Sequence, residues 1–405
     1  MSCMLDTSVQ VYETDRIEGP YLIQILIKNT SLTIQDMQLA VIGDRTPIAG
    51  RNRLLDDLKP HCRLAYFDRV EPNPRTCDVM AIMEDPAFTG CNVILGIGGG
   101  SVLDTAKALA MLAANSGAAN GGVTNGGSLD EYLGNSPQRS ITHPSLPLTL
   151  IPTTAGTGSE VTKVGVYTTA EGRKYTLGSP LMMAQNAVLS GEFLDGIPPA
   201  LCASAGFDAL DHALESIWNK NATPHTREIA EEAAVEVLTW LPRAYRLSLG
   251  HNDDDPALVR RMILRAACRA GTAFNITGTA AGHALSFILS EDWHIPHGTA
   301  CACTLLDLFD LSAAQEETAA SLGRLGARLF SQSGESSIAS LRNHIADLMN
   351  EMNIPQTFAE MGIELTRQDI DVHFDRAFSD PKMHNHLPGA TKDNIYPLLI
   401  RKCQG

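Results

Sequence analysis

Three short apolar segments in the first half of the chain each lead into a polar or glycine-rich turn, and this pattern restricts the fold more than any other feature. The segments cover residues 38–43, 92–97 and 148–152. Their continuous apolar character is typical of strands that are buried on both faces. Strands of this kind, each followed by a turn and a helix, predict a parallel sheet of the α/β class.

The second half of the chain has a different pattern, since strand-like segments stop after about residue 192. Apolar residues with helical spacing instead mark residues 228–247, 256–274, 313–330 and 338–352. We therefore expect an α/β domain over residues 1–192 and an all-helical domain over residues 193–405. Within the first domain, residues 115–127 are rich in Gly and Asn and are interpreted as a loop.

The charge and composition of the chain exclude several classes of partner. Its 405 residues carry a net charge of −15, which argues against nucleic acid and anionic membranes as partners. No uninterrupted apolar run of about 18 residues occurs, so we expect no membrane-spanning helix. The nine cysteines include no C-x-x-C pair, and the first residues lack a signal-peptide pattern. We therefore expect a cytoplasmic protein with reduced thiols.

A glycine-rich turn follows the second apolar segment directly and opens a predicted helix. It consists of Gly98, Gly99, Gly100 and Ser101. Glycines allow backbone N–H groups to approach a phosphate closely, and the partial positive charge of a helix N-terminus attracts that phosphate. The turn matches neither the glycine-rich loop of kinases nor a Walker loop. A dinucleotide site is the favoured interpretation, and a tight turn without a ligand is the alternative.

Two further turns at strand ends are interpreted as offering polar groups to the same cofactor, and plain turns with a solvated Asp44 are the alternative. Thr153 and Thr154 follow the third strand and provide hydroxyl donors for a ribose, a pyrophosphate or a carboxamide. Asp44 follows the first strand, where a carboxylate accepts both ribose hydroxyls of an adenosine and repels a 2′-phosphate. This position favours NAD over NADP, although Arg45 beside it weakens the preference.

Four residues of the second half have the side chains of a divalent-metal site: Asp208, His212, His283 and His297. Asp208 and His212 are four residues apart and therefore share one face of a helix. One carboxylate and three imidazoles suit a divalent first-row metal such as Fe²⁺, Zn²⁺ or Ni²⁺. Cys301 and Cys303 follow closely, but their alternation in an apolar run predicts small residues that pack a helix.

Four ordered motifs carry a resemblance that covers essentially the whole chain. They are Gly98-Gly-Gly-Ser-x-x-Asp104-x-x-Lys107, Pro152-Thr-Thr-Ala-Gly-Thr-Gly-Ser-Glu160, Asp208-Ala-Leu-x-His212 and Pro296-His297-Gly298. Together they resemble the iron-containing (group III) alcohol dehydrogenase family. The resemblance implies the architecture shared with dehydroquinate synthase, an N-terminal α/β dinucleotide-binding domain followed by a helical domain. It also implies reversible hydride transfer between an alcohol and its aldehyde or ketone.

The same resemblance implies roles for particular residues. The metal ligands would be Asp208, His212, His283 and His297, with Fe²⁺ as the first choice of metal. The contacts to the cofactor, NAD(H) in preference to NADP(H), would be Asp44, Gly98, Gly99, Gly100, Ser101, Asp104, Thr153, Thr154, Thr157, Ser159 and Lys174. Lys107 is interpreted as facing a cofactor phosphate or an acidic neighbour. Family members are commonly dimers or larger, so we expect a homo-oligomer.

Two positions depart from the family pattern. Phe287 stands four residues after His283, where many members carry a histidine that is invoked in proton transfer. A phenyl ring cannot transfer a proton, so water or a ribose hydroxyl would have to deliver it. Asp211 stands where the family often has a small polar residue. It points off the ligand face and is interpreted as a neighbour of the ligands or as solvated.

Three shorter patterns carry a narrower resemblance, to the phosphonoacetaldehyde reductase (2-hydroxyethylphosphonate dehydrogenase) subgroup. They cover residues 173–180, 214–224 and 283–287. The resemblance implies a role in phosphonate metabolism and a small anionic aldehyde as substrate. Candidate cationic contacts for that substrate are Lys163, Arg173 and Arg265.

Other activities remain as alternatives. Within the family these are reductases of short-chain aldehydes, of lactaldehyde or of maleylacetate. A dehydroquinate-synthase-like lyase shares the architecture but usually has Glu at the position of Asp208, so the sequence disfavours it. A metal-free scaffold that only binds a nucleotide is disfavoured because all four ligand types are retained.

Overall fold

The computed structural model describes residues 8–28, 30–115, 127–134, 136–331 and 334–403. The chain divides into two compact units, Met1–Thr154 with Gly158–Gly196 and Ala155–Thr157 with Ile197–Gly405. The loop expected at residues 115–127 falls almost entirely outside the described residues.

The first unit is built on a parallel sheet. The strands are β1 (Gln10–Thr14), β2 (Gln38–Ile42), β3 (Arg63–Phe67), β4 (Val93–Gly98), β5 (Leu148–Pro152), β6 (Val164–Thr168), β7 (Lys174–Gly178) and β8 (Asn186–Ser190). Six of them form a sheet in the order β1-β8-β5-β4-β2-β3, and all neighbours in it run parallel. The remaining two, β6 and β7, form a separate antiparallel pair. The parallel sheet predicted from the sequence is thus confirmed, with β2, β4 and β5 as its predicted members.

Helices cover both faces of this sheet. They are α1 (Gly19–Ile27), α2 (Ala49–Leu58), α3 (Thr76–Met83) and α4 (Gly100–Asn115). Alternate residues of β2 pack in different cores, since Leu39 and Val41 join the apolar cluster that includes residues of α1 and α2. Ala40 and Ile42 join the cluster that includes residues of α3 and α4. Burial on both faces explains why the strand is apolar at successive positions.

The turn between β4 and α4 requires glycine for a steric reason. A Cβ atom on Gly98 would overlap the side chain of Val102 in the first turn of α4. The absence of a side chain therefore allows the helix to begin immediately after the strand, and its N-terminus lies at the carboxyl end of β4.

The boundary of the first unit falls after Gly196, not after residue 192 as expected from the sequence. The reason is that the carboxylate of Glu192 is bonded into the first unit. It accepts hydrogen bonds from Ile17 N at 2.8 Å and from the guanidinium of Arg53 at 3.0 Å. The short segment Ala155–Thr157, expected in the first domain, groups with the second unit.

The second unit is helical in the residues that the structure describes. Its α-helices are α5 (Pro199–Ile217), α6 (Pro224–Ser248), α7 (Pro256–Thr277), α8 (Ala281–Asp292), α9 (His297–Ser312), α10 (Glu316–Phe330), α11 (Glu335–Glu351), α12 (Arg367–Phe374) and α13 (Lys392–Lys402). The Thr223 hydroxyl caps α6, and the Asp255 carboxylate caps α7 by accepting from Ala257 N at 3.1 Å. The expected all-helical second half is confirmed. None of the helices in the described residues combines the length and apolar character needed to cross a membrane.

Candidate functional site

The structure brings the four candidate metal ligands together within the second unit. Asp208 and His212 lie one turn apart on α5, His283 lies in the first turn of α8, and His297 is the first residue of α9. Asp208 Oδ1 lies 3.7 Å from His212 Nδ1 and 3.6 Å from Nε2 of both His283 and His297. Three helices therefore converge on one carboxylate.

A glycine allows α9 to approach α5 this closely. A Cβ atom on Gly298 would overlap the carbonyl oxygen of Ser204 on α5. Beside this contact, the Thr299 hydroxyl donates a hydrogen bond to Ser204 Oγ at 3.2 Å. His297 is therefore held against the helix that carries Asp208.

The cluster is buried on all sides except at His297. The side chains of Asp208, His212 and His283 are 4%, 6% and 4% exposed, whereas that of His297 is 31% exposed. His212 is further enclosed by Phe274, whose ring stacks on the imidazole with 4.1 Å between the centroids. A small molecule would therefore reach the cluster from the side of His297.

The protonation states of Asp208 and His212 suit cation binding at neutral pH. Burial alone would raise the pKa of Asp208, but the imidazoles of His212, His297 and His283 outweigh burial and hold it well below the usual range. Burial lowers the pKa of His212 to about 4. The carboxylate is therefore ionised and the imidazole neutral, which are the forms in which both bind metals.

Two buried carboxylates orient His283 from the side away from Asp208. His283 Nδ1 donates to Glu215 Oε2 at 2.8 Å, and Asp211 Oδ2 lies 3.2 Å from the same nitrogen. Glu215 also accepts from the backbone N–H groups of Ala280 at 2.5 Å and Gly282 at 2.6 Å. With its proton fixed on Nδ1, His283 turns Nε2 toward the cluster, where it lies 2.8 Å from His212 Nε2. A bound metal would take the electron pair of Nε2 after displacing any proton between the two imidazoles.

The sequence analysis missed Glu215, although a signal was present. Asp208, His212 and Glu215 are spaced i, i+4 and i+7, which places all three on one face of α5. The solvated alternative for Asp211 is wrong, because this side chain is 0% exposed. It is a buried neighbour of His283, which was the other expectation.

The unbalanced charge of this cluster fits a divalent cation. Against the effect of burial, nearby imidazoles hold the pKa of Asp208 and of Glu215 low, so both are ionised, and buried negative charges are expensive unless positive charge compensates them. Burial and the neighbouring Glu215 raise the pKa of Asp211 to about 7. Asp208 Oδ1 and His212 Nδ1 are buried without a hydrogen-bond partner. Carboxylate oxygens and imidazole nitrogens are ligands that Fe²⁺, Zn²⁺ and Ni²⁺ accept. The residues present therefore fit the metal that the sequence implies.

The candidate cofactor turns lie together at one edge of the sheet in the first unit. Thr153 N donates to the carbonyl oxygen of Gly98 at 3.0 Å, which joins the turns after β4 and β5. Asp44 follows β2, the other neighbour of β4. From β2 the chain moves to β3 on one side, whereas from β4 it moves to β5 on the opposite side. The carboxyl ends of the neighbouring strands β2 and β4 therefore flank a topological switch point. Open α/β sheets bind ligands at such points.

Models of known protein families match both units of the chain. The model "Iron-containing alcohol dehydrogenase" matches residues 28–190, and the model "Fe-containing alcohol dehydrogenase family, C-terminal" matches residues 202–403. A sulfoacetaldehyde reductase of Bilophila wadsworthia is 34% identical over 339 residues, which are 82% of either chain. The chain belongs to the iron-containing alcohol dehydrogenase family. The resemblance inferred from the four motifs is confirmed, and the protein is an oxidoreductase of this family.

The chain is similar to solved structures over almost its whole length. The sulfoacetaldehyde reductase of Bifidobacterium kashiwanohense in complex with NAD⁺ has a TM-score of 0.82 and 25% identity, and the match covers 98% of this chain and 97% of that one. A 1,3-propanediol oxidoreductase has a TM-score of 0.83 and 25% identity, with 99% and 100% covered. Both agree with the expected architecture.

Several candidate cofactor residues are engaged in internal contacts. Asp104 accepts hydrogen bonds from the Ser159 hydroxyl at 2.6 Å and from Val166 N at 2.9 Å. Lys107 Nζ donates to Ser159 Oγ at 2.8 Å and lies 3.8 Å from Asp104, so it faces an acidic neighbour. Burial lowers the pKa of Lys107 to about 8, against the opposing influence of Asp104 and Glu160. These contacts support the first unit from within.

The remaining cofactor candidates differ in their surroundings. Asp44 Oδ1 accepts from Thr46 N at 2.8 Å and from Arg51 at 3.0 Å, so its charge is partly compensated. Thr157 belongs to the segment that groups with the second unit, and Lys174 begins β7 of the antiparallel pair. Thr157 still belongs to the turn that follows β5, whereas Lys174 lies outside the turns after β2, β4 and β5.

Proposed function

We propose that this protein is a metal-dependent, NAD-linked reductase of a small aldehyde that carries a phosphonate or sulfonate group. The observation that supports this most is the convergence of three imidazoles on the buried carboxylate of Asp208. A divalent metal held by Asp208, His212, His283 and His297 would supply a Lewis acid for a carbonyl group. NADH supplies the hydride. Asp44 at the end of β2 and the NAD⁺ complex of a similar protein support NAD as the cofactor.

The side chains around the cluster position the reaction and control access to it. Glu215 holds His283 in one tautomer, and the outward face of His297 marks the entrance. Phe287 lies beside this entrance, with 6.1 Å between its ring centroid and that of His297. Its ring offers no proton, so the product alcohol would take its proton from water or from a ribose hydroxyl.

A lysine next to Phe287 supports an anionic substrate. Lys382 Nζ lies 4.1 Å from the centroid of the Phe287 ring, and its side chain is 16% exposed. The ammonium group of Lys382, which Asp380 pairs at 2.9 Å, therefore stands one aromatic ring away from the entrance at His297. Two similar proteins are named sulfoacetaldehyde reductases. Sulfoacetaldehyde and phosphonoacetaldehyde share an aldehyde and a strongly anionic group.

The test is the oxidation of NADH by the full chain loaded with Fe²⁺, Zn²⁺ or Ni²⁺. Phosphonoacetaldehyde and sulfoacetaldehyde are compared with propanal and lactaldehyde. We expect metal-dependent oxidation of NADH and a higher kcat/KM for the anionic aldehydes. Equal kcat/KM values for all four aldehydes would contradict the proposal that the substrate is anionic. If no aldehyde caused oxidation of NADH with any of the metals, the proposed reductase activity itself would be contradicted.

Replacing Lys382 with Gln is expected to raise KM for phosphonoacetaldehyde or sulfoacetaldehyde about tenfold. A tenfold change corresponds to about 1.4 kcal/mol. This is near the lower end of the roughly 1.5–3 kcal/mol that a hydrogen bond to a charged group contributes. The lower end applies because Asp380 already pairs with Lys382 at 2.9 Å. Steady-state kinetics with both an anionic aldehyde and propanal measure the effect, and KM for propanal should not change.

The matched control for this substitution is Lys392→Gln. Lys392 also pairs with an aspartate, Asp375, and also lies over aromatic rings, those of Phe378 and Tyr396. The control should leave both KM values unchanged. A rise in KM for propanal equal to that for the anionic aldehyde would mean that Lys382 supports the site in general and does not recognise the anion.

Replacing Glu215 with Gln is expected to weaken metal affinity by about 10- to 100-fold, the usual effect of losing the partner that orients a ligating histidine. The amide has nearly the same size but carries no negative charge to hold the Nδ1 proton of His283. Competition with a chromophoric chelator measures the affinity. The control is Glu231→Gln, a buried glutamate that pairs with Arg324. Equal affinities in wild type and in Glu215→Gln would contradict the orienting role.

A further inference from the structure

The thiol of Cys301 lies among the candidate metal ligands. Cys301 is one helical turn after His297 on α9, and its Sγ lies 3.9 Å from His297 Nε2. The residue is 0% exposed. One donor atom from each of Asp208, His283, His297 and Cys301 lies within 4.8 Å of all the others. Cys301 was expected only to pack a helix, but its sulfur also lies beside the carboxylate and imidazoles of the candidate metal site.

Cys303 shows what a packing cysteine in this helix looks like. It is 1% exposed and belongs to an apolar cluster with residues such as Leu308 and Phe358. Two residues along a helix rotate the side chain to nearly the opposite face. Cys301 therefore faces the polar cluster, whereas Cys303 faces the apolar core.

The separations in this set approach those of ligands around one metal ion. Bonds of about 2.1 Å to nitrogen or oxygen and about 2.3 Å to sulfur place neighbouring ligand atoms roughly 3.0–3.6 Å apart around one ion. Asp208 Oδ1 lies 3.6 Å from both His283 Nε2 and His297 Nε2, and the sulfur lies 3.9 Å from His297 Nε2. Independently, the buried Asp208 Oδ1 has no hydrogen-bond partner.

We propose that Cys301 supplies its sulfur as a further ligand to the metal of this site, beside the carboxylate and the imidazoles. This inference rests on the proposed metal centre. On metal binding the S–H bond breaks, the sulfur binds as thiolate, and the proton passes to solvent.

The test is X-ray absorption at the zinc edge of the full chain loaded with Zn²⁺ alone. We expect a sulfur scatterer at about 2.3 Å in the wild type. It should be absent from Cys301→Ser and retained in Cys303→Ser, the matched control. Loading with Co²⁺ gives a second readout, a sulfur-to-cobalt charge-transfer absorption that follows the same pattern in the three proteins.

The outcomes separate this inference from the metal centre on which it rests. A wild-type spectrum with only nitrogen and oxygen scatterers around a stoichiometric zinc ion overturns the sulfur ligand and leaves the centre in place. No stoichiometric zinc uptake overturns the centre itself. Because the wild-type spectrum decides the question alone, misfolding of Cys301→Ser would not prevent a decision.

Discussion

Asp208→Asn is expected to abolish retention of a divalent metal and to reduce kcat/KM for any aldehyde by about 10³-fold or more. Such a factor corresponds to about 4 kcal/mol, within the several kcal/mol that a Lewis-acidic metal contributes. The change keeps the size of the side chain. It removes the one charge on which His212, His283 and His297 converge. Elemental analysis of the purified protein and NADH-linked kinetics measure the two effects.

Stability provides a measurement of the same prediction that does not depend on activity. Metal at about 100 times its Kd should stabilise the wild type by about 2.7 kcal/mol and leave Asp208→Asn unchanged. The control is Asp310→Asn, an aspartate of α9 that pairs with Arg342 at the surface. It should respond to metal like the wild type. Full metal content and activity in Asp208→Asn would refute the assignment of this carboxylate.

The parts of the fold that the sequence predicted depend on local patterns. The end of β4, the glycines after it and the start of α4 are adjacent in the chain, so one short stretch contains the whole signal. By contrast, β8 is a five-residue strand whose place between β1 and β5 is fixed by partners far away in the sequence. The antiparallel pair β6–β7 was missed as well, because its exposed and half-buried residues give no continuous apolar run.

The same distinction applies to the candidate site. Spacing along α5 predicted that Asp208 and His212 share a face, and the structure has them 3.7 Å apart. Spacing could not predict which other helices that face meets, and the resemblance to the family supplied His283 and His297 instead. The position of Cys301 beside His297 could not be predicted, because it depends on where α9 begins. Once α9 is known to begin at His297, the i, i+4 spacing places the sulfur beside the imidazole.

Lys107→Met is expected to destabilise the first unit by about 3–5 kcal/mol, the cost of leaving one partner of a buried ion pair without the other. Lys107 is 0% exposed and lies three residues after Asp104 on α4. Its ammonium group also donates to the Thr162 hydroxyl at 3.0 Å and to the Val164 carbonyl oxygen at 2.7 Å. The substitution therefore removes the link between α4 and the segment that follows β5. Urea unfolding of the metal-free protein measures the loss.

Lys59→Met is the matched control, since Lys59 pairs with Asp56 at the same spacing of three residues but with its side chain 63% exposed. Its effect should stay below about 1 kcal/mol because solvent screens the pair. In the double variant Asp104→Asn with Lys107→Met, stability should recover in part, since no unpaired carboxylate remains buried. If Lys107→Met and Lys59→Met had equal effects, the buried pair would not support the turns after β4 and β5.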